Sequence, residues 1–217
     1  MKKSIFLAFG LSLFASLSFA QQISIGPRIG YTSSDAKFIF PDEFRFETDP
    51  NESAKPLNSF HAGMDAKMSL NDRFAIIASL LYARKGHVGE LYWPSGPAKA
   101  SYQLHYLNLP VVADFRIWKG LSIQGGAELG RLLSARLESA GEESELDYLY
   151  EEFDLGLVAG LEYRLDNGFF ISARHVFGIY NIQNFEVTDG TGSVTGDLKN
   201  RNTATQFSVG YRYSLVR

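Results

Sequence analysis

The chain has 217 residues, 45% hydrophobic and 14% aromatic, with 20 Gly, 7 Pro, no Cys and a formal net charge of -3. It is too apolar for intrinsic disorder, and a mean hydropathy of -0.10 is too polar for a bundle of transmembrane helices. Without Cys there is no disulfide framework, thiolate metal site or cysteine nucleophile, and the acidic balance gives no expectation of nucleic-acid binding.

In chain order, the first element is a leader. Lys2 and Lys3 precede an apolar stretch over residues 5–17, and Ser18-Phe19-Ala20 places small residues at the -3 and -1 positions before Gln21. Residues 1–20 therefore read as a secretory signal peptide, and residues 21–217 as one domain. No second apolar run of membrane-spanning length follows, so any crossing of a bilayer is made by strands.

Period-two alternation predicts eight strands, at 23–31, 60–70, 74–84, 102–117, 121–135, 153–165, 169–180 and 206–215. The clearest is the sixth, where Phe153, Leu155, Leu157, Ala159, Leu161, Tyr163 and Leu165 share one register and Asp154, Gly156, Val158, Gly160, Glu162 and Arg164 the other. A helix would scatter both sets around its circumference. The third strand is the least regular, because Ile77 and Leu81 fall in the register that is polar elsewhere. Short turn sequences, Asn71-Asp72, Trp118-Lys119-Gly120 and Asp166-Asn167-Gly168, alternate with long polar segments at 32–58, 86–101, 136–150 and 181–202. An up-and-down meander gathers the long connections at one end and the short ones at the other, as in outer-membrane barrels.

Alternation alone does not say whether the apolar register faces lipid or a soluble core. The opposite register decides for lipid. It holds Arg28, Lys67, Arg116, Arg164, Arg174 and Arg212 against Asp65, Asp114, Glu128, Asp154 and Glu162, together with Gly26, Gly30, Gly63, Gly126, Gly130, Gly156, Gly160, Gly178 and Gly210. A solvated face has no use for that much glycine, whereas the interior of an eight-stranded barrel is only wide enough for side chains to fill. Charges there must pair, so these eleven residues are expected to form a structural network in the lumen. Tyr31, Phe60, Phe74, Tyr82, Tyr106, Phe115, Tyr163, Phe169, Phe177 and Tyr213 are expected in interfacial girdles on the lipid side.

Several stretches then resemble a known family. Phe60-His61-Ala62-Gly63-Met64, the segment from Arg73-Phe74 to Leu80-Leu81-Tyr82-Ala83-Arg84-Lys85-Gly86, and Tyr106-Leu107-Asn108-Leu109-Pro110-Val111 are similar to the small outer-membrane β-barrel proteins called porin-family or PorT-like. So are Gly125-Gly126-Ala127-Glu128-Leu129-Gly130 with Leu133-Ser134-Ala135, Phe153-Asp154-Leu155-Gly156, and Ala173-Arg174 with Gly178. The resemblance implies an all-β, eight-stranded antiparallel up-and-down transmembrane barrel in the outer membrane of a Gram-negative-type cell, with four long outer loops, three short periplasmic turns and no established enzymatic role. Some members look like accessory parts of a secretion or gliding apparatus. The family often ends on an aromatic residue, whereas here Tyr213 is followed by Ser214-Leu215-Val216-Arg217.

Candidate chemistry is sparse. His175 lies in the apolar register of the seventh strand, where a lipid-facing Ser/His/Glu arrangement would operate, but Ser172 and Glu162 belong to the other register. The outer loops are acidic, with Asp35, Asp42, Glu43, Glu47, Asp49 and Glu52 in the first and Glu138, Glu142, Glu143, Glu145 and Asp147 in the third, yet their spacing matches no ordered cation loop. The expectation is a monomeric, non-enzymatic barrel with a filled lumen, no cofactor and no metal. Its partners would be outer-membrane lipid and lipopolysaccharide, with envelope or secretion-machinery proteins as further candidates. The alternatives are a PorT-like secretion accessory and a lipid-modifying hydrolase.

Overall fold

The computed structural model describes residues 22–40, 54–93, 96–139, 141–188 and 194–215; the segment expected as a signal peptide, residues 1–20, and the acidic stretch 41–53 lie outside the described residues. The strands are β1 (Gln22–Ile39), β2 (Lys55–Ser69), β3 (Phe74–Trp93), β4 (Gly96–Arg116), β5 (Leu121–Ser139), β6 (Glu142–Glu145), β7 (Phe153–Arg164), β8 (Phe169–Gly178), β9 (Gln183–Thr188), β10 (Val194–Tyr211) and β11 (Tyr213–Ser214). Eight of them, β1 to β5, β7, β8 and β10, form the wall, each antiparallel to the next. β10 returns to β1 from Arg28↔Gly210 to Ile39↔Lys199, and β11 continues that seam with Ser24↔Ser214 and Ile25↔Tyr213. The ring is thus closed, which removes the unpaired edges that an open sheet would expose.

The turns close for local reasons. Asn71 Oδ1 accepts hydrogen bonds from the backbone N–H groups of Arg73 and Phe74, at 2.9 and 2.8 Å. Gly120 and Gly168 adopt positive φ of 74° and 95°, a conformation that side chains disfavour. At the opposite end much of the predicted long loops is strand among the described residues: β3 and β4 extend into the segment expected as loop 86–101, pairing out to Trp93↔Gly96, and β9 pairs with the start of β10. By composition alone these polar stretches read as loop. Beyond the membrane both faces of a strand meet water, so polarity on both faces is compatible with strand there.

Within the wall, burial alternates residue by residue. The outward register is apolar: Ile25, Ile29 and Tyr31 on β1, Leu155, Leu157, Leu161 and Tyr163 on β7, and Phe207 and Val209 on β10 are all exposed. On β1 this belt ends at Tyr31, and the following outward positions are Ser33, Asp35 and Lys37. The inward register is buried and mixed. It includes an apolar cluster of Ile77, Val112, Val158, Val176 and Ala204, so the irregular third strand is regular once Ile77 and Leu81 are seen to face the lumen. Tyr106 is a correction to the predicted girdle: it is fully buried inside, because the register of β4 sends Leu107, Leu109 and Val111 outward. A register shift between His105/Tyr106 on β4, opposite β5, marks the place where the outer part of the wall changes its pairing.

Candidate functional site

The lumen carries two groups of charged side chains. The lower group, nearer the short turns, is built around Asp65 on β2 and Glu162 on β7. Arg28 on β1 donates to Asp65 through Nε and Nη2, at 2.9 and 2.8 Å, and through Nη1 to the hydroxyls of Ser172 and Ser208, at 2.8 and 3.1 Å. Arg212 reaches across the barrel, donating to Asp65 Oδ2 from Nε and Nη2, at 3.0 and 2.6 Å, and to both Glu162 oxygens, at 2.6 and 2.8 Å. Both guanidiniums lie over the Phe170 ring, Arg212 at 3.9 Å and Arg28 at 4.8 Å from its centroid. Lys67 donates to Asp114 Oδ1 at 2.8 Å, while Gln124 bridges Asp114 and Glu162 at 3.0 and 3.1 Å and accepts from Arg174 Nε at 2.8 Å.

The upper group centres on Lys85 of β3, which donates to Glu128 Oε1 at 2.9 Å and Asp154 Oδ2 at 3.2 Å and lies 5.2 Å from the Tyr106 ring centroid. Asn202 Nδ2 donates to Asp154 Oδ2 at 3.1 Å and Tyr106 Oη at 3.3 Å. The two groups are divided by apolar side chains: on β7, Val158 stands between Asp154 and Glu162, and Ala204 of β10 stands between Asn202 and Arg212, which directly follows the end of that strand. The paired groups are almost wholly buried, so cation and anion meet in a medium where either alone would be costly.

Nine of the eleven predicted lumen charges lie in these groups, Arg174 through its hydrogen bond to Gln124. Arg116 and Arg164 do not. Arg116 is exposed and Arg164 half-buried, at the last inward positions of β4 and β7, one step below Asp114 and Glu162. Lys85 and His61 are additions. Lys85 shares a register with Ile77, Ser79, Leu81 and Ala83, and counting by two from Ile77 finds it, once apolar residues are allowed inside. His61, fully buried, hydrogen-bonds the hydroxyls of Thr32 and Ser208, both at 2.9 Å. Glycine supplies the space: a Cβ at Gly30 would meet the His61 ring, and one at Gly210 would meet the Phe170 ring.

The histidines outside this network have separate surroundings. His175 faces outward on β8, bonded to Thr205 Oγ1 at 2.9 Å, while Ser172 and Glu162 point into the lumen, so the three do not converge. His87 lies above the apolar belt, stacked on Tyr102 at 4.5 Å and meeting the Phe38 ring edge-on at 5.4 Å. Burial lowers its pKa to about 4. The unfolded chain, with the ordinary histidine value near 6.5, binds the proton first, so the stability of this outer cluster falls as pH drops from about 6.5 to about 4. His87→Phe is expected to flatten that pH dependence, and hydrogen exchange of the β3–β4 hairpin at the two pH values measures it.

A lipid-facing apolar belt around a closed ring with a charged interior is the arrangement of proteins that cross a membrane with strands. The family of outer membrane protein β-barrel domains matches residues 19–184. The chain belongs to this family. Membership places the chain in the outer membrane, where barrels of this kind keep their short turns on the periplasmic side. Among solved structures, Neisserial surface protein A is similar with a TM-score of 0.50 at 13% identity, covering 89% of this chain and 99% of that one. The attachment invasion locus protein Ail of Yersinia pestis follows at 0.45 and 18%, covering 88% and 98%, and OprG of Pseudomonas aeruginosa at 0.41 and 12%, covering 89% and 95%. No curated protein sequence matches this barrel.

Proposed function

We propose that this barrel is a non-enzymatic surface protein that acts through the rigid outer extension of its wall, with a lumen closed to ions. The observation that carries the reading is the length of the wall beyond the apolar belt. β3 continues from Tyr82 to Trp93 and β4 returns from Gly96 to Leu107, which is roughly 35 Å of paired strand at about 3.3 Å per residue. Strand pairing holds this surface in one shape before a partner arrives, and that reduces the ordering cost of binding. Its outward side chains include Arg84, Gln103 and Glu138, joined by Arg84 to Gln103 at 3.2 Å and Gln103 to Glu138 at 2.8 Å, a polar face suited to another protein or to the sugar of the outer leaflet.

The closed lumen is supported by the ion pairs that cross it and by the apolar layer between them, above which Leu104, Tyr106, Ala135 and Ile182 pack together. Pure protein in planar bilayers is expected to give no stable single-channel steps, and reproducible large steps would defeat the closed-lumen part of the reading. For the surface role, affinity isolation from detergent-solubilised outer membrane is expected to recover partners that are lost when Arg84 and Gln103 are replaced by alanine. Undiminished recovery by that variant would sink it.

A further inference from the structure

At the periplasmic end a cavity of about 680 Å³ opens beside the mouth of the lumen, lined by Lys67, Arg116, Lys119 and Arg164 with Asp166 as the acidic member. Lys67 is paired with Asp114, but Arg116, Lys119 and Arg164 form no ion pair with any carboxylate among the described residues. Three cations brought to one concavity by the end of β4, the following turn and the end of β7 repel one another, and an anion placed between them relieves that repulsion. The remaining wall is lipid-facing: Tyr163 and Leu165 also line the cavity, and both are exposed on the apolar belt.

Tyr163 is shared with a second concavity, of about 550 Å³, on the outer face of the wall. Its floor is Ala173 on β8, in register with Leu161 on one side and Phe207 on the other, so a methyl group lies between two large side chains and leaves a depression. Its lining is almost wholly apolar, and its volume falls in the range of about 300–1,000 Å³ typical of ligand sites. Trp118, 75% exposed, stands next to Lys119 at the level where interfacial aromatics meet headgroups.

We propose that these two concavities form one site for an anionic glycerophospholipid of the inner leaflet, its phosphodiester among Arg116, Lys119 and Arg164 and an acyl chain in the groove over Ala173. A water-soluble anion would use the cations alone; continuity with a lipid-facing groove through Tyr163 is what selects a lipid. Neither the outer surface role nor the closed lumen enters this assignment.

The test uses the folded barrel in mixed micelles doped with phosphatidylglycerol or phosphatidylcholine, with lipid retained after detergent washing counted by native mass spectrometry. Phosphatidylglycerol is expected to be retained in preference to phosphatidylcholine. Lys119→Ala, in an exposed turn where folding is undisturbed, is expected to lower retention roughly fivefold, as is Arg116→Ala. Ala173→Phe fills the groove and is expected to lower retention while leaving binding of inorganic phosphate unchanged. Equal retention of the two lipids, or full retention by Ala173→Phe, overturns the proposal. Displacement of the lipid by inorganic phosphate alone identifies a free-anion site and overturns it as well.

Discussion

Arg212→Ala is expected to lower the unfolding free energy of the barrel by about 3–5 kcal/mol, the range for removing one partner from a buried ion pair. Arg212 is buried and makes four hydrogen bonds to Asp65 and Glu162, residues on strands far apart around the ring. Its removal leaves Asp65 with Arg28 as its remaining ion-pair partner, and Glu162 with Gln124 and a longer contact to Arg28 at 3.5 Å. Urea titration in detergent, followed by the heat-modifiable gel shift of the folded form, measures the change. The comparison is Arg131→Ala, which breaks an exposed pair with Glu152 at 2.8 Å and is expected to cost less than about 1 kcal/mol. Equal losses in the two variants would refute the structural role of the lumen network.

The second large effect comes from space. Gly210→Ala is expected to destabilise the barrel by about 1–3 kcal/mol, the usual cost of overpacking. The new methyl would lie 2.6 Å from Phe170 Cε1 and 2.6 Å from the Pro27 carbonyl oxygen, and the Phe170 ring is in contact with two guanidiniums. Phe170→Ala alone removes a buried ring and is expected to cost about 3–5 kcal/mol. Because Phe170→Ala removes the ring against which the Gly210→Ala methyl clashes, the combination is expected to be at least about 0.5 kcal/mol less damaging than the sum of the singles. Strict additivity in the same urea titration would show that Gly210 is small for another reason, such as the approach of its strand to Pro27.

Much of this barrel is legible from local pattern. Period two along β7 separates Leu155, Leu157 and Leu161 from Asp154, Val158 and Glu162 without reference to any other strand, because the pleat alone sends neighbours to opposite faces. Where pattern misled, a second constraint was acting. Tyr106 reads as a girdle residue by type, but the register of β4 sends it inward to meet Asn202 and Lys85. The segment 86–101 reads as loop by polarity, yet its strands pair with each other above the membrane. Lys85 is masked in the sequence because Ile77 and Leu81 give its register an apolar look, and that mixture is what a lumen with both charged and apolar layers requires.

The sequence by itself determined that the chain crosses the membrane as eight alternating strands, that one face of each suits lipid, and that the other holds nearly balanced charge and glycine. It did so because side-chain direction in a strand is a local property, with a period set by the backbone. Only the tertiary structure decided which charges meet. Arg212 and Asp65 are 147 positions apart and touch because β10 closes on β1, and Arg116 and Arg164 stay outside the network because they stand one level below the last carboxylates. Pairing across a lumen depends on closure, stagger and strand order, and those are properties of the whole ring.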